Sequence, residues 1–266
     1  MGKCFRAALL LVFLGCWWSP EAREFKEAGR LHEEGRLPEA VTAYEKVMKK
    51  FPTTEESLEA ARKGSTIALV DTKNYAKAVE FFKHIVLASE KEAERVQAQT
   101  SLADIYYERL NDYGSAAIEY NRLLQLQLPQ ETQQRVRLNL AKSYFYQGKF
   151  IPAHSEIKIL LENDLTTERA FSAKLLQGNL YQSEKKLDQA IEAFSDLLKN
   201  YPEQSKDEQL GLTLAVVYEE KKDFAQAARV LAAIRNNYPK PDFIDNKIRR
   251  LEEQQKNLPG AGGLRK

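Results

Sequence analysis

The side chains able to do covalent or metal chemistry are few and scattered. His32, His84 and His154 lie far apart, and the two cysteines, Cys4 and Cys16, both precede residue 17. This spacing excludes disulfide scaffolds, zinc ribbons, iron–sulfur sites and a cysteine nucleophile from the body of the chain. No Gly-x-Ser-x-Gly elbow occurs. The densest glycines, Gly260, Gly262 and Gly263, follow no strand and so form no phosphate loop. Carboxylate pairs such as Glu33-Glu34 and Glu55-Glu56 are what a solvated helix face carries without catalysis. The residues therefore point away from an enzyme and call for no cofactor, metal or small-molecule substrate. The 266 residues hold 40 Lys+Arg against 38 Asp+Glu, a net charge of +2, which argues against a nucleic-acid binder. With 29% charged and 10% aromatic residues the chain is neither low-complexity nor disordered.

One cysteine does sit in a suggestive place. Lys3 and Arg6 open a segment whose apolar run spans Ala7 to Leu14, with polarity returning at Ser19. A membrane-spanning helix needs about 20 apolar residues, so the run fits the core of an export signal. It ends in Phe13-Leu14-Gly15-Cys16, which resembles the lipobox of bacterial lipoproteins, although Phe13 stands where that family has an aliphatic residue. The resemblance implies cleavage before Cys16 and a diacylglycerol on its thiol. No Asp follows Cys16, which favours the outer membrane. The Met-Gly start does not meet the myristoylation pattern, since Arg6 stands where Ser or Thr is required. Trp17 and Trp18 suit a membrane interface. Loss of residues 1–15 removes Lys3 and Arg6 and leaves a formally neutral protein.

The elements that must position any working surface are set by an internal repeat. Ala recurs at 40, 78, 116, 153, 190 and 227, at intervals of 38, 38, 37, 37 and 37 residues. Three residues before each stands a large apolar residue (Leu37, Tyr75, Tyr113, Phe150, Leu187, Phe224), and four after it Tyr44, Phe82, Tyr120, Ile157, Phe194 and Leu231. Val47, Ile85, Leu123, Leu160, Leu197 and Ile234 follow at seven. These offsets share one helical face, and the Ala leaves room for a neighbouring helix. Nine residues upstream runs a second column, Leu31, Leu69, Tyr107, Tyr144, Tyr181 and Tyr218. Small residues stand three before that (Ala28, Thr66, Ala141, Gly178, Ala215), with Asp104 breaking the pattern. Each repeat is thus two antiparallel helices. Asn74, Asp112 and Asp223 are placed to cap the second, and Pro38 and Pro152 fall in its first turn. Pro52, Pro129, Pro202 and Pro239 close their repeats.

This pattern resembles the tetratricopeptide repeat over residues 21–241, with a period of 37–38 in place of about 34. The resemblance implies an all-α fold, an α-solenoid of about six helical hairpins in a right-handed superhelix. Ile244, Ile248 and Leu251 place a C-terminal capping helix at 242–257. The expected organisation is a signal peptide over 1–15, a lipidated linker over 16–22, six repeats over 23–241, the capping helix, and a flexible tail over 258–266. The stretch around Leu197-Leu198-Lys199-Asn200-Tyr201-Pro202 is similar to repeats of envelope lipoproteins, notably the BamD-like and Tol–Pal coordinator families.

A helical solenoid exposes a concave surface lined by the first helix of each pair. The outward positions there are Lys63, Ile105, Arg109, Lys142, Phe145, Tyr146, Asn179, Gln182 and Val216, the expected groove for a protein partner. Of the adjacent Tyr144, Phe145 and Tyr146, at least one must face out. Some family members clamp a peptide carboxylate with Lys and Asn in successive repeats; Lys63 is followed by Ile67, not Asn, so that clamp is not reproduced. The expected function is a non-enzymatic scaffold in a bacterial envelope complex, lipid-anchored to the outer membrane and facing the periplasm, of BamD-like or Tol–Pal-like type. The alternatives are a type IV pilus or secretin assembly lipoprotein, which the count of six repeats favours, and a soluble periplasmic chaperone.

Overall fold

The computed structural model describes residues 19–257. Cys16, the signal segment, Trp17, Trp18 and the 258–266 tail lie outside the described residues. The described residues contain no strand. The chain divides into two compact units, 1–105 and 106–266. The first holds α1 (Pro20–Glu33), α2 (Leu37–Lys50), α3 (Glu55–Thr66) and α4 (Tyr75–Ala88). The division falls inside α5 (Glu92–Glu108). The second holds α6 (Tyr113–Leu123), α7 (Gln130–Tyr146), α8 (Phe150–Leu161), α9 (Thr167–Ser183) and α10 (Leu187–Asn200). It continues through α11 (Pro202–Asp207), α12 (Leu210–Glu220) and α13 (Phe224–Ile234) to the capping helix α14 (Pro241–Lys256). Within the units α1 pairs with α2 and α3 with α4, then α7 with α8 and α9 with α10, and α12 with α13, α11 preceding α12 in the first arm of the sixth repeat.

One backbone device makes each hairpin. The residue five before the repeated Ala is left-handed in every repeat: Gly35 (φ 74°), Lys73 (52°), Asn111 (51°), Gly148 (69°), Lys185 (61°) and Lys222 (63°). In four repeats the next amide reaches back five residues, as Lys149 N–H to Tyr144 O (2.9 Å), Lys186 to Tyr181 (2.9 Å), Asp223 to Tyr218 (2.9 Å) and Arg36 to Leu31 (3.0 Å). That left-handed closure satisfies carbonyls the helix end would otherwise leave unpaired. Asn74, Asp112 and Asp223 then cap the second helix, their Oδ1 atoms accepting from the amides of Lys77 (3.2 Å), Ser115 (3.0 Å) and Gln226 (3.2 Å).

The two 38-residue intervals have separate causes. In the second repeat α3 runs into a π turn, Ile67–Asp71, where Thr72 N–H bonds to Ile67 O at 2.9 Å. In the third, Asp112 N–H reaches six residues back to Tyr106 O at 2.9 Å. Each adds one residue between the first helix and the Ala, so the first helix is read one position out of step. Ser65 and Ala68 are buried where Thr66 and Leu69 were expected, and Thr66 is exposed. Phe81 takes the buried place expected of Phe82, against Gly64, where a Cβ would come within 2.5 Å of the ring. In the third repeat Ala103, fully buried, fills the small-residue place that Asp104 seemed to break.

The core otherwise follows the columns. All six repeated Ala are fully buried, as are Tyr44, Tyr120, Ile157 and Phe194. Gly178 lets α9 approach Phe194 so closely that a Cβ would lie 2.3 Å from Cε1. On α14, Ile244 and Leu251 are buried against Ala215, Ala227 and Leu231. At about 25 cal/mol per Å² of apolar surface buried, such columns are what offsets the entropy of ordering the helices.

Candidate functional site

In the second unit α7, α9 and α11 enclose a groove of about 450 Å³. The periodicity that buries Ala141 and Ala173 turns the opposite edges of α7 and α9 toward it. Phe145, Tyr146, Phe171, Leu175 and Leu176 form its apolar wall, with Tyr107 from the end of α5. Lys142 and Asn179 stand at equivalent places in successive repeats, both eleven residues before the Ala. Glu168, Asp207 and Glu208 complete the charged lining. Tyr146 is 55% exposed and stacks on Tyr113, with centroids 4.6 Å apart and planes 24° apart. Phe145 meets Tyr146 edge-on at 5.4 Å and lies tilted against Phe150 at 6.3 Å. The rings hold one another, so the wall is set before any partner arrives.

The charges in this groove are unmatched. Among the described residues, the side chains of Lys142, Glu168, Asp207 and Glu208 take part in no ion pair or hydrogen bond. Lys142 is half-buried, and loss of solvent pushes its ammonium below the usual lysine range, opposed by the charge of Glu208. Burial also pushes the Tyr107 phenol up, with Tyr146 and Tyr113 adding to the effect. A half-buried ammonium and a ready aromatic wall can take up a chain segment that brings an apolar side chain and an acceptor.

The first unit has a larger groove, about 1390 Å³, between α1 and α3, with Phe25, Gly29, Arg30, Glu55, Glu59 and Lys63 in its lining. Part of its charge is matched within the unit, while the side chains of Arg23, Glu33 and Glu56 in the lining take part in no ion pair or hydrogen bond among the described residues. Arg30 pairs with Glu27 (2.6 Å) and with Glu34, and Arg62 binds Glu55 (3.1 Å), Glu59 (3.1 Å) and Glu94 (2.7 Å). Hydrogen bonds from Arg62 and then Ser89 hold Glu94 down at about 2. Lys63 lies over the Phe25 ring, 5.6 Å from its centroid. Among the described residues Phe25 is the one aromatic ring in this lining, so it lacks the stacked wall of the smaller groove. The buried Ser57 lies 2.9 Å from His84 Nε2 through its Oγ, but it has no exposed surface and serves as a packing link.

The structure gathers four of the expected groove residues, Lys142, Phe145, Tyr146 and Asn179, into one site. Lys63 belongs to the groove of the first unit. Gln182 is engaged by Glu220, its Nε2 donating to Oε1 at 3.2 Å. Arg109 and Val216 are exposed outside the groove lining. Ile105 is a correction: it is only 3% exposed, so it offers no surface. The extra residue in its repeat rotates α5 by about 100° relative to the Ala column, carrying 105 inward. Sequence reasoning missed Phe171, Leu175 and the acidic end of α11; the helical stripe signals the first two, whereas nothing local signals the third. Among the described residues no group of three or more His, Cys, Asp or Glu is arranged to hold a metal, and no helix is long and apolar enough to cross a membrane.

Comparison with known proteins agrees with this architecture. Tetratricopeptide-repeat family models match residues 25–54, 138–205 and 181–245, together more than half of the chain. The chain belongs to the tetratricopeptide-repeat proteins, and its fold is the all-α stack of helical hairpins that serves as a protein-interaction scaffold. Between the first two matches lie residues 55–137, which hold the two repeats with the extra residue. Among solved structures it is similar to a tetratricopeptide repeat protein from Parabacteroides merdae, at 17% identity and a TM-score of 0.54, covering 89% of this chain and 88% of that one. PilW, a widely conserved type IV pilus biogenesis factor, is 17% identical at a TM-score of 0.52, with 87% of this chain and 98% of that one covered. A chain of the Naa15/Naa10 complex bound to HypK-THB gives 15% identity and 0.54, over 88% of this chain and 39% of that one. At these identities the likeness is one of fold. No curated protein matches the chain.

Proposed function

We propose that the protein is a non-enzymatic scaffold that captures an extended segment of another protein in the groove between α7, α9 and α11. The observation that carries this reading is the preformed Tyr113–Tyr146–Phe145 wall beside the unpaired, half-buried Lys142. Aromatic anchors in such pockets carry much of the affinity of protein interfaces. The apolar run and Phe13-Leu14-Gly15-Cys16 support a finer reading: an outer-membrane lipoprotein facing the periplasm that helps assemble an envelope complex of BamD-like or Tol–Pal-like type. Likeness in fold to a pilus biogenesis factor over nearly its whole length favours, as the second reading, pilus assembly. A soluble periplasmic chaperone is the reading left if Cys16 carries no lipid.

A photocrosslinking residue placed at Tyr146, with the same residue at the exposed Ser155 of α8 as control, tests the scaffold. Tyr146 should crosslink to a discrete envelope protein and Ser155 should not; equal yields from both would overturn the groove assignment. Labelling with a palmitate analogue tests the anchor: the wild type should be marked and Cys16→Ser should not.

A further inference from the structure

The groove between α7, α9 and α11 is acidic at one end and aromatic at the other. Its lining carries three carboxylates, Glu168, Asp207 and Glu208, against the one ammonium of Lys142. Glu168 stands in the first turn of α9, whereas Asn179 shares the far end with Phe145 and Tyr146 of the last turn of α7. Eleven residues separate Glu168 from Asn179, about 16 Å along the helix axis. Two of the carboxylates are present because the sixth repeat departs from the others inside its first helix. Counting back from the repeated Ala, Gln209 corresponds to Ser172 and Arg135, both of which lie within continuous helices. At Gln209 the helix breaks: the backbone is left-handed, φ 51° and ψ 36°, between α11 and α12. Both sides are fixed. Ser205, fully buried, donates from Oγ to Leu197 O at 3.0 Å and ties α11 to the end of α10. Gly211 packs α12 against Ile234, where a Cβ would lie 2.6 Å from Cγ2. The end of α11 therefore lines the groove, with Glu208 at the position that Phe171 holds in the fifth repeat. Helix C-terminal ends favour cations, yet α11 ends in Asp207 and Glu208. Lys206 of the same turn is exposed outside the lining and, among the described residues, pairs with neither.

We propose that the occupant of this groove is a basic segment of another protein, with an aliphatic or aromatic anchor on the Phe145–Tyr146 wall and a Lys or Arg at the Glu168–Asp207–Glu208 end. This rests on the reading that the groove takes a protein segment, and it names that segment's chemistry. An extended chain covers the length of the groove in about five residues, which sets the spacing between anchor and cation. A lysine or arginine arriving there meets carboxylates with no ion pair or hydrogen bond of their own, so no internal pair has to break. An acidic segment adds to the negative charge already present, and like charges facing across an interface cost affinity. Lys142 has donors only and serves the carbonyl oxygens of an extended backbone, whatever side chains the segment carries. The three carboxylates are exposed, so each pair they form contributes modestly and answers to salt. The rings supply the anchor, and the carboxylates select the segment.

Fluorescent peptides of the frame Leu-Phe-Ser-Gly-Ser-Lys-Lys, made in both chain directions, read this chemistry by anisotropy on the full chain. Gln-Gln and Glu-Glu replace Lys-Lys in the comparison peptides. The lysine peptide should bind about tenfold tighter than the glutamate peptide, with the glutamine peptide between them. That gap should narrow as salt rises from about 50 mM to about 500 mM. The combined variant Asp207→Lys, Glu208→Lys should invert the order, and Glu168→Lys, on a different helix, should narrow the gap independently. Glu203→Lys, an exposed α11 residue outside the lining, should leave the order as it is. Equal binding of the three peptides, a preference for glutamate, or a lysine preference that survives in both the combined variant and Glu168→Lys overturns the basic assignment. If binding then still weakens in Tyr146→Ala, the groove reading stands without it. Binding indifferent to Tyr146→Ala, or none by any peptide at millimolar concentration, overturns the groove reading itself.

Discussion

The two units are built from the same hairpin, yet their grooves are finished differently. In the first, Arg30 of the lining is shared between Glu27 and Glu34, and Arg62, outside the lining, holds Glu55 and Glu59; elsewhere in the unit Glu45 is gripped by Lys49 and by Lys77 at 2.6 Å. Burial would raise the Glu45 carboxyl, but those lysines overcome it and hold it at about 2. In the second, the groove leaves a half-buried lysine and three carboxylates unmatched beside stacked rings. Both linings keep charged groups without an ion pair, Arg23, Glu33 and Glu56 in the first as well, so what separates the grooves is the stacked aromatic wall, a preformed apolar surface with interaction energy left for a partner. The smaller groove is therefore the better binding site.

The largest effects that would test this contrast are in the cores. Phe81→Ala in the first unit and Phe194→Ala in the second should each cost about 3–5 kcal/mol, since both rings are fully buried. Hydrogen exchange resolved by unit should show the loss on the mutated side, and an equal loss on both sides would mean that the division at residue 105 has no energetic content.

Acid should weaken the first unit more. Glu45 and Glu94 have folded values of about 2 against 4.5 unfolded, so their contribution is complete above pH 4.5 and is lost as the pH falls toward 2. The loss should be of order 2 kcal/mol for each. Glu45→Gln should flatten the pH dependence of first-unit stability between pH 4.5 and 2, as read by urea melts at stepped pH.

Tyr146→Ala should weaken capture of a crosslinked partner by about 1–2 kcal/mol while the melt moves little, because the ring is largely exposed. Phe145→Ala, half-buried against Phe150, should lower both binding and stability. If Tyr146→Ala left capture unchanged, the working surface would have to be sought on the larger groove.

The smallest effects concern the turns, where both units should behave alike. Gly148→Ala should destabilise by about 1 kcal/mol, because its φ of 69° disfavours a side chain. Lys185→Gly and Lys73→Gly should each gain a few tenths of a kcal/mol, the strain relieved at φ 61° and 52° being partly offset by the added freedom of the unfolded chain. Thermal melts of the three variants check the sign.

The hairpins, the buried Ala columns, the capping helix and the side-chain caps were legible in the residues alone, because each depends on helical periodicity or on contacts within a few residues. The sequence also marked Lys142, Phe145, Tyr146 and Asn179 as outward-facing, since one helical period fixes which side of α7 and α9 they occupy. The rest depends on packing between distant segments. The π turn at Ile67–Asp71 and the wide turn before Asp112 leave no local mark beyond a spacing of 38, yet each rotates a helix by one residue and sends Ile105 and Ser65 inward. The break at Gln209 is invisible in the sequence, because glutamine has no preference for the left-handed region. It exists because Ser205 and Gly211 fasten the two sides of the helix to different neighbours. Which carboxylates of the first unit are matched depends on partners more than thirty residues apart, such as Arg62 and Glu94 or Lys77 and Glu45, and only folding brings these together.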